Sequence, residues 1–84
     1  MDNMVSVIVT TRNEGKNIRL CLESIKKQTY RNIEIIVVDN NSSDDTKRIA
    51  RAYTTKVFDK GPERSAQRNF GAKMATGRYL LFLD

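Results

Sequence analysis

"IEIIVVDNNSSDDT", residues 33–46, changes character at Asp39. Up to that point it is β-branched and apolar apart from Glu34, as a strand covered on both faces should be. After Asp39 it becomes a polar turn, in which Ser42 or Ser43 is the expected cap of a helix with Asp44 and Asp45 in its first turn. Ile49, Ala50 and Tyr53 follow at helical spacing and mark the buried face of that helix. The stretch therefore reads as strand, turn, helix, with a carboxylate standing at the strand's end.

The same alternation extends in both directions. Upstream, "VSVIVT" (5–10) is a second fully covered strand. Asn13 is the expected N-cap of a helix that begins there, Glu14 suits its positive end, and Ile18, Cys21, Leu22 and Ile25 form its apolar face. Downstream, "TKVFD" (55–59) is a short strand. A loop leads into a third helix with Ala66, Phe70 and Met74 at spacing four, stopped by Gly77. "RYLLFLD" (78–84) is the fourth strand. Four strands alternating with three helices imply βαβ units in one domain, residues 1–84. The expected fold is Rossmann-like, a three-layer α/β/α sandwich around a mainly parallel sheet with right-handed crossovers.

Composition narrows the function. With 84 residues, 39% hydrophobic and 30% charged, the chain fits one soluble globular domain. Its apolar runs are far short of the roughly 20 residues that span a bilayer. The opening "MDNMVSV" lacks the basic-then-apolar pattern of a signal peptide. Cys21 is the one cysteine, which excludes an internal disulfide, and a cytoplasmic location is expected. The net charge of +5 does not point to nucleic acid, because the cations are scattered and no aromatic platform is interleaved with them. Several lie at helical spacing from acids, Glu23 with Lys27 and Asp44 with Arg48, as on a solvated helix face. A mild attraction to phosphates or anionic membranes is the better expectation.

In open parallel sheets ligands bind beyond the carboxyl ends of the strands, where strand order reverses. That rule selects the loops after each strand. "TTRNEGKN" has one glycine and is neither a dinucleotide turn nor a P-loop. The chain has no histidine, which removes Ser-His and Cys-His arrangements. Cys21 lies on an apolar helix face and reads as a buried structural thiol. The remaining polar groups, Thr10, Thr11, Asn13, Asp39, Arg68 and Asp84, converge on one edge. A strand-end carboxylate can accept the imide N–H of uracil, an arginine fork suits a diphosphate, and a second carboxylate suits a divalent cation bridging it. Singly, Asp39 reads as a turn former, Arg68 as a surface cation and Asn13 as a cap. Together they favour a ligand site.

"VSVIVTTRNEGKNIRLCLESIKKQT", "IEIIVVDNNSSDDT" and "RSAQRNFGAKMATGRYLLFLD", in that order, resemble the opening half of a family-2 glycosyltransferase of the A-type fold. The resemblance covers nearly the whole chain. It implies the nucleotide-diphospho-sugar transferase variant of the fold, a UDP- or GDP-sugar donor with UDP favoured, and sugar transfer with inversion. It assigns Thr10, Arg12 and Asn13 to the loop bordering the base, Asp39 to uracil, and Arg68 to the nucleotide. Asp84 matches the first aspartate of a D-x-D motif that holds ribose and a diphosphate-bound magnesium or manganese ion. Arg12 stands where the family often has an aromatic ring. The second D-x-D aspartate, the catalytic base and the acceptor half are expected beyond Asp84, so this stretch alone is expected to carry no catalytic residue and no turnover. A homodimer through the last strand and membrane association of the parent protein are further expectations. The alternative from another class is a non-catalytic, flavodoxin-like interaction module.

Overall fold

The computed structural model describes residues 3–28 and 32–83. Its elements are β1 (Val5–Thr11), α1 (Ile18–Lys26), β2 (Ile33–Asp39), α2 (Thr46–Ala50), β3 (Val57–Asp59), α3 (Arg64–Met74) and β4 (Tyr79–Leu83). The strands form one sheet in the order β3-β2-β1-β4, and every pairing is parallel. The chain builds outward from β1 through β2 to β3, then returns through α3 to place β4 on the other side of β1. Strand order therefore reverses between β1 and β4.

Alternation along the strands divides the core in two. Val7, Val9, Ile35 and Val37 face α1 and α2, where they pack with Ile18, Leu22, Ile25 and Ala50. Ile8, Ile36 and Val38 face the other way, against Phe58, Phe70 and Ala75. Both central strands are thus covered on both sides, which is why neither shows a polar–apolar alternation. The three-layer α/β/α arrangement is the one the sequence implies.

Several local expectations are corrected. The first helix begins at Ile18, not at Asn13; Asn13 lies in the left-handed region with φ of 51°, which a helix cannot continue from. Neither Ser42 nor Ser43 caps the second helix, which starts at Thr46, and Asp45 flanks it without a side-chain cap bond. Asp44 lies before that helix, so Arg48 pairs with Asp45 instead, at 2.8 Å. Glu23 accepts a hydrogen bond from the Tyr53 hydroxyl, at 2.9 Å. The third strand is shorter than expected.

On α3 the fully buried positions are Gln67 and Gly71, one residue along from the expected face, and Met74 is exposed. Gly71 sets that orientation. A Cβ there would collide with Ile8 Cγ2 and come within 3.3 Å of Val38 Cγ2, so the helix backbone lies close on the sheet. Gly77 does not stop the helix either. The chain leaves α3 at Ala75 in an extended conformation. Thr76 N–H then donates to the Glu34 carboxylate at 2.6 Å, and Gly77 N–H to Ser6 Oγ at 2.8 Å. β4 is not buried: Tyr79, Leu80, Leu81 and Phe82 are 51%, 44%, 49% and 41% exposed. Cys21 is half-buried, and burial together with the nearby Glu14 charge raises its thiol pKa.

Candidate functional site

The carboxyl ends of β1 and β2 end side by side, with Thr11 paired in register with Asp39. Thr11 Oγ1 donates to Asp39 Oδ1 at 2.7 Å. Ser42 adds a second hydroxyl to the same oxygen, and its backbone N–H reaches Oδ2, each at 2.7 Å. Asp39 is fully buried. A buried carboxylate needs such donors, since it can only accept, and three of them replace the water it has lost.

The two loops that follow β1 and β2 are joined residue by residue. Asn13 N–H donates to Ser42 Oγ at 2.7 Å, and Asn13 Oδ1 accepts from Ser43 N–H at 2.9 Å. Glu14 N–H donates to Thr46 Oγ1 at 2.8 Å, and Gly15 N–H to Asp44 Oδ2 at 3.0 Å. Asp44 also accepts from the backbone N–H and hydroxyl of Thr46, and these bonds lower its pKa. Asn13 and Asn41 take positive φ values, 51° and 46°, a conformation that asparagine tolerates better than most residues. The asparagines are therefore turn formers that aim the loops at one another.

Of the residues expected in the site, the structure gathers Thr10, Thr11, Asn13 and Asp39 at this edge. Arg12 is exposed on the adjoining loop. Arg68 is half-buried on α3, directly after Gln67, whose side chain reaches Thr11. Asp84, the expected metal ligand, lies outside the described residues. Among the described residues, no group of three or more cysteine and acidic side chains converges to hold a metal ion.

Gln67 was missed by sequence reasoning. It is buried, and its Nε2 donates both to Thr11 O at 3.1 Å and to Val38 O at 2.8 Å. The signal in the sequence was a polar residue one turn before a helical glycine.

A pocket of about 110 Å3 opens between the end of β1 and the start of α1, lined by Thr10, Thr11, Glu14, Asn17 and Cys21. It lies at the carboxyl end of β1, the end of the sheet at which open parallel sheets take ligands. A larger cleft of about 300 Å3 carries Glu34, Tyr53 and Lys56. It sits at the amino end of β2, away from the converging loops. Location and chemistry favour the smaller pocket.

The family model described as "Glycosyl transferase family 2" matches residues 6–84. Glycosyltransferase AglE of Haloferax volcanii is 40% identical over 89 residues, a match covering 95% of this chain and 29% of that protein. The S. aureus TarS 1-349 structure in complex with UDP-GlcNAc superposes with a TM-score of 0.80 at 36% identity, over 96% of this chain and 26% of that one. The mannosyltransferase PcManGT from Pyrobaculum calidifontis, in complex with GDP-Man and Mn2+, superposes with a TM-score of 0.81 at 28% identity, over 95% and 26%. The chain thus spans less than a third of the length of these relatives.

Proposed function

The chain belongs to glycosyl transferase family 2, and from that premise we propose that it is the donor-binding part of an inverting glycosyltransferase. The whole enzyme would move a sugar from a UDP- or GDP-sugar to a glycan, lipid or polysaccharide acceptor. The observation that carries this reading is the Thr11–Asp39–Ser42 cluster, set at the carboxyl ends of β1 and β2, next to the β1–β4 step where strand order reverses. In this reading Thr10, Thr11, Arg12 and Asn13 border the base, and Asp39 accepts its imide N–H on Oδ1 in place of the Ser42 hydroxyl. An acceptor-only carboxylate welcomes the N–H edge of uracil or guanine and repels the acceptor nitrogens of adenine and cytosine. Arg68 offers its guanidinium fork to the diphosphate.

A magnesium or manganese ion, held by Asp84 with ligands that the described residues do not supply, would neutralise the diphosphate as it leaves. PcManGT's complex with Mn2+ supports that part of the reading. Deprotonating an acceptor hydroxyl requires a positioned base. We assign none to this stretch and propose that it has no turnover alone. A cytoplasmic location, membrane association of the whole protein and a homodimer through β4 belong to the same proposal.

The test is a chemical-shift titration of the 84-residue chain with UDP, GDP, CDP and ADP. UDP is expected to perturb Thr10–Asn13 and Asp39 most strongly, with GDP next. Asp39→Asn is the informative variant. Its amide oxygen can still accept from Ser42 N–H, while the Thr11 and Ser42 hydroxyls turn to accept from its NH2. Asp39→Ala, which sequence alone suggests would leave the fold intact, instead strands one buried and two part-buried donors. Loss of the UDP preference in Asp39→Asn supports the proposal. Equal responses to all four nucleotides in the unmodified chain would sink it.

A further inference from the structure

We infer that Gln67 is a positioning residue of the nucleotide site, holding the helix that carries Arg68 at a fixed distance from the strand ends that carry Thr11 and Asp39. The inference rests on the nucleotide-sugar reading above and adds a residue to it. Gln67 is 4% exposed, yet its carboxamide is not packed as an apolar group would be. Nε2 donates to the carbonyl of Thr11, the last residue of β1, and to that of Val38, the residue before Asp39. Carbonyl oxygens only accept, so the amide nitrogen must be the atom that faces them. One planar NH2 group with two hydrogens therefore bridges two neighbouring strands from the helix above.

Packing alone does not call for glutamine here. An apolar side chain would cover the sheet at no desolvation cost, whereas a buried amide is tolerated only when hydrogen-bonded. Two directed hydrogen bonds supply what non-directional apolar contacts lack, a fixed register of α3 along and across the strands. Gly71, one turn further on, brings the helix backbone close enough for this reach. Arg68 follows Gln67 directly, so any slippage of the helix moves the guanidinium relative to the Thr11–Asp39 pair. A ligand with a base at one end and a diphosphate at the other would feel that slippage. A ligand that engages one end alone would not.

The test compares uridine, inorganic pyrophosphate and UDP as ligands of the 84-residue chain and of Gln67→Met, which keeps the side chain's length and removes both donors. UDP is expected to lose about tenfold in affinity, while uridine and pyrophosphate each change by less than about twofold, because only the joined ligand depends on the spacing. Parallel loss of all three, or no change in any, would overturn the positioning role. If Gln67→Met does not fold, the unmodified chain decides. Its Gln67 side-chain NH2 resonances are expected to move when uridine or pyrophosphate is added separately, and unmoved resonances overturn the inference. Failure of the unmodified chain to bind any of the three would instead remove the nucleotide reading itself, and this inference with it.

Discussion

At the residue scale, Glu34 shows how one side chain fixes a path that local signals did not reveal. Its side chain is nearly buried, at 8% exposed, and it is paired with Lys56. It also accepts from the Ser6 hydroxyl and from the N–H and hydroxyl of Thr76. Burial alone would raise its pKa, but the bonds from Lys56, Ser6 and Thr76 outweigh that and lower it from 4.5 to about 2. A depressed carboxylate pKa stabilises the fold above the unfolded-state value and loses that contribution as pH falls through the folded one. The contribution is therefore complete above about pH 4.5 and is lost from there down to about pH 2. Glu34→Gln is expected to lower stability at pH 7 by about 1–3 kcal/mol and to narrow its gap from the unmodified chain in acid. Urea unfolding of both proteins at pH 7 and pH 3 checks this; a gap that stays constant would show that Glu34 is not the titrating group. "IEII" gave no hint of it, because the partners lie 22 and 42 residues away.

At the scale of elements, periodicity located the strands and helices of the described residues and the buried faces of α1 and α2, but misjudged where α1 and α2 begin and which line of α3 lies closest to the sheet. The expected stripe of Ala66, Phe70 and Met74 is the more apolar one. Phe70 of that stripe does pack on the sheet, but the most buried line runs through Gln67 and Gly71, because contact distance decides over hydrophobicity when one position has no side chain. Gly71→Ala tests that reason. Alanine is favoured over glycine in a helix by about 1 kcal/mol. Overpacking a tight contact costs about 1–3 kcal/mol. The variant is expected to be less stable by up to about 2 kcal/mol, the second effect winning, as thermal or urea unfolding would report. A more stable variant would show that α3 can lift from Ile8 and Val38 without loss.

At the scale of the molecule, β4 is the anomaly. Tyr79 to Phe82 are each more than 40% exposed on an edge strand whose side chains alternate between the two faces of the sheet. Leu81 and Leu83 border an apolar hollow with Val5, Val7 and Ile25. An exposed apolar edge is a template for pairing with another copy. The 84-residue chain is therefore expected to self-associate, with sedimentation showing a mass that rises with concentration. A net charge of +5 opposes contact between copies, so added salt should strengthen the association by screening it. Leu80→Lys together with Leu81→Lys places a cation on each face of the edge and should restore the monomer. A single monomeric species at every concentration and salt level would exclude pairing through β4.

The sequence by itself determined the layered fold, the parallel pairing of its central strands and the strand-end edge at which Thr11, Asn13 and Asp39 meet. Those follow from short-range information: unbroken apolar runs of strand length, helical spacing between them, and polar residues confined to strand ends. "VVDNNSSDDT" and the segment around Arg68 carried the family as well, which the match over residues 6–84 bears out. Only the tertiary structure decided that Asn13 turns the chain instead of capping a helix, that Ser42 serves Asp39, that Glu34 holds Thr76 just beyond α3, and that Gln67 ties the helix to two strands. Each of those outcomes depends on a hydrogen bond whose partner comes from a different element, apart from the Ser42–Asp39 contact within one turn. A side chain's local preference is worth about 1 kcal/mol, and leaving a buried polar group unpaired costs more. Pairing across the fold therefore overrules the local rule wherever the two compete.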